Sequence, residues 1–450
     1  MRHPIFHQLL SHTPAPVRFL LGTDRHIGEE LSTAEKDYRE TRVAIVPNDI
    51  ASLIEAWRAA GMNPEVKVVE GAGEQSGFAN NEYVRAGAQI ISEADLTGST
   101  TWSPDIVHAL KEPSAYELKI PGKFMRIGAL HVRDVSKHSA YVHLYRSTAC
   151  IIDGSEMGGY AYTIRGGAPI PLRQSMSAFA GTLGGEDVAM HLSQVKNAPK
   201  KVVVCGCGVA GEAAIKALIY SNQAENLTIH MLDARPEALA RIKALAKPGV
   251  TFTGRAANTL MRRDLEGAQA LIIAAYKDPE QPSICNLRDL EGMQKNSYIV
   301  DISADEGPSI AVDGLKGLDG EEARKHVAKV LEACGHSYAA DTHMPRRDPR
   351  RASESHSRAV WPYIYTLGVL VGALGGSEQA AHYLKTKHLH SKAKTRGYFD
   401  LMIDDLAAGL FNFKNEIVHR VVKADPELHN KIRELSIHPE SFEPGLSPSV

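Results

Sequence analysis

Val202 to Ala214 reads VVVCGCGVAGEAA, and two patterns compete for it. Cys205 and Cys207 make a C-x-C that could hold a metal or form a redox pair. Gly206, Gly208 and Gly211 make G-x-G-x-x-G. The flanks decide between them. Val202–Cys205 is an apolar strand running into the glycines, and Glu212–Tyr220 is a helix-forming run leaving them. LTIHMLD then ends a second strand at Asp233, 22 residues beyond Gly211. In that setting the first glycine makes the tight turn and the second lets the backbone approach a pyrophosphate. The third lets helix and strand pack closely, and the helix N-terminus faces the anion. The backbone of Gly206, Gly208, Val209, Ala210 and Gly211 is therefore the expected dinucleotide cradle, with Ala274 at the end of the strand ALIIAAY counted beside it. Asp233 is placed to accept hydrogen bonds from ribose hydroxyls, which favours NAD, while Arg235 two residues on leaves NADP open. No further Cys or His nearby in sequence completes a tetrahedral site, so no metal is expected and the two thiols read as structural.

Working outward, the chain has 450 residues, 43% of them hydrophobic and 23% charged, with a net charge of −2. That length suits two or three domains with their own cores. The charge supplies no long-range field for nucleic acid or an anionic membrane. Five widely spaced cysteines suit a reducing, cytoplasmic setting rather than a disulfide framework. The run YIYTLGVLVGALG (363–375) is shorter than the roughly 20 residues of a membrane span and reads as a buried helix. The N-terminus lacks the apolar run of a signal peptide. His388 and His390 in KTKHLHSKAK sit among lysines, which oppose metal binding.

Strand and helix patterns alternate along the chain. VRFLLG, RVAIV, EVKVVE, PDIVHAL, FMRIGAL, YVHLY and ACIID read as strands, with a helix over Pro47–Ala60. After a Gly/Pro-rich crossing at 158–174 comes a helix over Ser177–Val195. Then follow VVVCG, LTIHMLD, VTFTG, ALIIAAY and SYIVDIS with helices between them. The expected fold is α/β: two doubly wound Rossmann-like domains with mostly parallel sheets, the dinucleotide domain inserted in the other. Boundaries fall at 1–168 for the first part of a substrate domain, 169–342 for the dinucleotide domain, and 343–450 for the return with a C-terminal helical extension. Closure of the two around a hinge near 158–174 and 338–345 would exclude water. The extension, with Leu401, Met402, Leu406 and Leu410 at helical spacing, reads as helical over 398–436; it covers the core or pairs subunits of an expected homo-oligomer.

ETRVAIVP (40–47), VEGAGEQSGFANNEYVRAGAQI (69–90), LKEP (110–113), ALHVRD (129–134) and VDISADEGP (300–308) occur in that order. Together they resemble the family of alanine dehydrogenase and the nicotinamide-binding transhydrogenase subunit. That family includes N5-(carboxyethyl)ornithine synthase and, more distantly, saccharopine dehydrogenase. The resemblance runs from about 17 to 375. It implies that Arg42 holds the substrate carboxylate, that Lys111 binds the oxo or carboxylate oxygen, that His131 is the general acid/base, and that Asp305 lies beside nicotinamide and substrate. These residue types suit reduction of an imine of a 2-oxo acid. Arg grips a carboxylate bidentately, His exchanges protons near neutrality, and a lysine and an aspartate stabilise changing charge. Asp301, ending its strand, reads as structural.

Departures from the family bear on the substrate. HMPRRDPRRASES (343–355) replaces a run like NMPGAVPRTST, bringing His343 and the arginines Arg346, Arg347, Arg350 and Arg351. SAFAGTLGG (177–185) replaces a run ending in AGR. His343, Arg346 and Arg350 are therefore candidate substrate contacts, for a second carboxylate if they face the site. Three readings follow. One is an alanine-dehydrogenase-like reductive amination of a 2-oxo acid, or its reverse. Another is an opine-type enzyme joining a 2-oxo acid to a second amino acid. The third, of another class, is a non-catalytic nucleotide sensor. The expected partners are small-molecule amino acids and 2-oxo acids, with no nucleic acid or membrane.

Overall fold

The structure is a computed structural model that describes residues 15–23, 40–111, 113–114, 116–130, 148–154, 172–195, 199–275, 283–304, 307–318, 320–341, 343–389, 398–408, 410–413 and 416–417. The chain divides into two compact units, Met1–Ser175 with Asp348–Val450, and Met176–Arg347. His343 and Arg346 thus belong to the second unit, and Arg350 to the first.

The first unit is built on β1 (Val17–Leu21), β2 (Pro64–Val69), β3 (Gln89–Ile91), β4 (Ile106–His108), β5 (Met125–Gly128) and β6 (Cys150–Asp153). All pair in parallel, and β1 lies between β2 and β4. β1, β4, β5 and β6 are continuous buried runs, as expected of parallel strands covered on both faces. The second unit holds β7 (Lys200–Cys205), β8 (Leu227–Asp233), β9 (Val250–Ala256) and β10 (Ala270–Ile273). A two-stranded ribbon pairs β11 (Cys285–Asn286) with β13 (Ile310–Ala311), and β12 (Ser297–Asp301) and β14 (His336–Ala339) complete the main sheet. Its order is β14-β12-β10-β7-β8-β9. Counting β7 or β1 as first, both sheets follow the doubly wound 3-2-1-4-5-6 order. The expected α/β architecture of two Rossmann-like sheets is what the chain forms. Ligands of such sheets bind beyond the carboxyl ends of the strands where the order reverses, which is β1/β4 in one unit and β7/β10 in the other.

Two elements differ from the sequence reading. RVAIV (42–46) is buried but is not a strand. It runs along the helix Pro349–Leu374, where Ser353 Oγ accepts from Val43 N at 2.9 Å and Ser357 Oγ accepts from Val46 N at 3.1 Å. An apolar run of that length satisfies strand periodicity, but here serine hydroxyls take the place of a ladder partner. Of the extension expected to be helical over 398–436, the described helix is Tyr398–Ala408. It is followed by β15 (Leu410–Phe413), which adds antiparallel to β6, and by β16 (Glu416–Ile417), so the extension is not wholly helical. Met402, Ile403, Leu406 and Leu410 are buried in the core of the first unit, together with Val360, Tyr363, Leu367 and Leu370 of the long helix. The 363–375 run is thus a core element, and no single described helix is long and apolar enough to cross a membrane. YVHLY and the crossing at 158–171 lie outside the described residues.

Candidate functional site

The glycine turn sits at the reversal point of the second unit. Gly206 adopts φ +92°, and a Cβ there would lie 2.5 Å from the carbonyl carbon of Ala274 at the end of β10. Only glycine fits this crossing of β7 and β10. A Cβ on Gly211 would sit 1.8 Å from the carbonyl oxygen of Gly206, so the third glycine lets the helix Val209–Ile219 close onto the turn. Gly208 is different. A Cβ there meets nothing nearer than Arg235 Nη2 at 3.7 Å, and Gly208 caps the helix without any side-chain hydrogen bond. The first-turn N–H groups of Val209, Ala210 and Gly211 have no intrahelical acceptor, and the open side of Gly208 leaves them accessible to an anion.

Asp233 closes this cradle. Its Oδ2 accepts from Cys207 N at 2.7 Å, and Arg235 donates to it through N at 2.9 Å and Nε at 3.0 Å. Burial raises the cost of its charge, but the hydrogen bonds from Arg235 and Cys207 outweigh that and hold the carboxyl below its usual range. The Arg235 side chain is more than half exposed, beside Gly208. Cys205 and Cys207 are buried, and burial pushes both thiols up to about 12. They are protonated at neutral pH and have no nucleophilic or ligand character there. The residues present fit a dinucleotide: a glycine turn open at its middle position, a free helix terminus and an adjoining carboxylate.

In the first unit, charge gathers at the β1/β4 reversal. Arg42 and Glu40 are both buried, with Nε–Oε1 at 2.7 Å and Nη2–Oε2 at 2.6 Å. Burial disfavours the Glu40 charge, yet Arg42, with Lys111 beyond it, holds the carboxyl below its ordinary value. Lys111 lies three residues past the end of β4. Its carbonyl accepts from Arg126 Nη2 at 2.9 Å, and Arg126 itself is fully buried in an ion pair with Glu117 at 2.5 Å. That inner pair fixes the loop carrying Lys111. His108, the last residue of β4, and His356, from the long helix, stack with ring centroids 6.2 Å apart. Burial pushes His108 down to about 3 and takes His356 well below the usual histidine value. His108, Arg42 and Lys111 further oppose a proton on His356.

Arg42 and Lys111 both lie within electrostatic reach of Glu40 and of His356. His131 and Asp305 lie outside the described residues. Asp153 Oδ1 accepts from Leu130 N at 2.9 Å, just before His131. Asp301 is fully buried and accepts from Ser309 N and Oγ at 2.8 Å each and from Tyr338 Oη at 3.0 Å. The arginines of 346–351 do not form one cluster. Arg347 grips Asp187 in two hydrogen bonds of 2.6 and 2.7 Å. Arg350 donates to Gly77 O at 2.6 Å and lies over the Phe78 ring at 4.2 Å, and Arg351 pairs with Asp348. His343 is exposed, its N donating to Asp341 Oδ1, and Arg346 N donates to the His343 carbonyl. Sequence reasoning missed Glu40, His108, Arg126 and His356. Glu40 and His108 were visible two residues before Arg42 and three before Lys111. His356 shares the i, i+3, i+4 face of Ser353 and Ser357.

Two family models match the chain: alanine dehydrogenase/PNT, N-terminal domain, over residues 32–153, and alanine dehydrogenase/PNT, C-terminal domain, over 176–389. Alanine dehydrogenase of Staphylococcus haemolyticus is 28% identical over 352 residues, covering 73% of this chain and 84% of that protein. The enzymes of Mycobacterium tuberculosis and Bacillus subtilis are 26% and 25% identical, over 74% and 72% of this chain and 85% and 81% of theirs. A solved L-alanine dehydrogenase superposes with a TM-score of 0.61 at 20% identity, covering 92% of this chain and 99% of that one. The transhydrogenase from Sinorhizobium meliloti gives 0.58 at 18%, covering 90% and 99%. At such identities the structural likenesses bear on the fold.

Proposed function

The chain belongs to the alanine dehydrogenase/PNT family, and from that premise we propose that it is a nicotinamide-dependent oxidoreductase acting on the C–N bond of an amino acid, by reductive amination of a 2-oxo acid or its reverse. What supports this most directly is the buried Glu40–Arg42 pair with half-buried Lys111 near it, at the carboxyl end of β1 and β4, a cationic seat suited to a carboxylate and an adjacent oxo group.

The bound nicotinamide supplies the hydride chemistry. Gly206, Gly208, Val209, Ala210, Gly211 and Ala274 form its phosphate cradle, with Asp233 toward the ribose. NAD is favoured by that carboxylate; Arg235, exposed beside Gly208, suits a 2′-phosphate and keeps NADP in play. Arg42, held rigid by Glu40, orients the substrate carboxylate, and Lys111 polarises the oxo oxygen and stabilises charge as the carbonyl is attacked. His131 moves the proton and Asp305 faces the reacting carbon, roles carried over from the family motifs. Of the candidate contacts for a second carboxylate, Arg350 is already engaged by Gly77 O and the Phe78 ring, which favours ammonia rather than a second amino acid as amine donor.

The test is NADH absorbance with pyruvate and ammonia, against pyruvate or 2-oxoglutarate with ornithine or lysine. Turnover with ammonia alone is expected, and Lys111→Met should lower kcat/KM by about 10²-fold or more. Turnover only with the second set would establish the opine-type reading. No turnover with either set or with any other 2-oxo acid, in protein that binds NADH, would return the sensor reading.

A further inference from the structure

Seven buried side-chain nitrogen or oxygen atoms lack a hydrogen-bond partner among the described residues, and three of them belong to the stacked His108–His356 pair. His108 Nε2, both ring nitrogens of His356, Thr23 Oγ1 and Thr41 Oγ1 are all unpartnered. Thr23 follows β1 and His108 ends β4. Thr41 adjoins Arg42, and its carbonyl accepts from Ser76 Oγ, which also meets Ser353 one helical turn before His356. Burying polar atoms without partners is costly, so such a group at a strand-end reversal implies an occupant.

The tautomers define that occupant. His108 Nδ1 lies 2.9 Å from the Ile127 carbonyl and must donate to it, so Nε2 carries a lone pair and needs a donor. His356, neutral, offers one donor and one acceptor. An ionised carboxylate cannot serve His108, and an ammonium is opposed by Arg42 and Lys111. Neither imidazole takes up a proton near neutrality, so the pair is suited to recognition rather than proton transfer.

We propose that His356 and His108 recognise the substrate's side chain, and that it carries an uncharged group that both donates and accepts hydrogen bonds, a hydroxyl or a carboxamide, in place of the methyl of alanine. This rests on the amino-acid reading above. Isosteric pairs isolate the group. With the cofactor present, L-threonine should bind at least about tenfold more tightly than L-valine, or L-asparagine than L-leucine, by calorimetry. His356→Leu should bring that ratio close to one, and His356→Gln should restore part of it. His356→Leu should also keep or raise Tm, because it removes two unpartnered buried nitrogens, whereas a purely structural histidine would lose stability on replacement. Absence of preference in both pairs, or a preference that survives His356→Leu, overturns the proposal, as does a variant that alters only the KM for ammonia. Binding is read without turnover, so failure of the oxidoreductase reading, seen as no NADH consumption with any amino or oxo acid, is separate.

Discussion

Gly208 and Gly211 are the same residue three positions apart, yet their surroundings assign them different work. Gly208→Val points its side chain into open space and should leave thermal unfolding unchanged while raising the Kd for NADH by about tenfold or more, roughly 1.4 kcal/mol. Gly211→Ala drives a methyl into the Gly206 carbonyl and should destabilise the fold by about 1–3 kcal/mol. Calorimetry and melting curves on both variants separate the effects; loss of Tm at Gly208 would refute the open cradle. Glu40 offers a pH test. Its carboxyl titrates below the ordinary 4.5, so its stabilisation is complete above pH 4.5 and fades as pH falls through the lowered folded value. Urea unfolding of wild type and Glu40→Gln should therefore differ most at neutral pH and converge in acid. The glycines and Asp233 were legible from motif spacing, whereas Arg42 and Lys111 were reached only through the resemblance of their motifs to the family. His108 and His356 were not, since each is an isolated histidine, one in an apolar strand and the other in a serine-rich helical run, and only the fold stacks their rings.

At the scale of elements, the periodic runs were read well and the exceptions have physical causes. RVAIV looks like a strand because alternation reports burial, not ladder pairing. Its N–H groups go to Ser353 and Ser357 on a helix more than three hundred residues later in sequence. Ser357 also donates to the Asp49 carboxylate in the first turn of the helix Pro47–Ala59. Ser353→Ala and Ser357→Ala should each cost about 1–3 kcal/mol in urea unfolding by stranding a buried N–H. Because this segment carries Arg42, both should also raise the KM of the 2-oxo acid; stability lost with KM unmoved would show that the segment does not set the position of Arg42. β15 was missed for a related reason. Leu406 and Leu410 continue a helical spacing, and only pairing with the exposed edge of β6 makes the second of them a strand residue.

The whole molecule repeats one solution twice: two parallel sheets of the same strand order, each with chemistry-bearing residues at its reversal point. The second sheet was the clearer from sequence, because all six of its strands come from one continuous stretch of chain. The first is assembled from both ends of the chain, β15 coming from beyond residue 400, and no local pattern announces such a return. Everything that forms the dinucleotide cradle falls within Met176–Arg347, which also contains its own core of Val203, Leu232, Leu271, Ile273, Ile299, Val327 and Leu331. A continuous segment with a complete sheet and a complete core meets the conditions for folding by itself. Residues 176–347 expressed alone should therefore unfold cooperatively and bind NADH within about tenfold of the full chain, a difference of about 1.4 kcal/mol. It should oxidise no NADH with any substrate, since Arg42 and Lys111 are absent. Circular dichroism melts with calorimetric NADH titration check both halves. A folded fragment that fails to bind would mean that residues of the first unit hold the cofactor, and the cradle would then be incomplete as described.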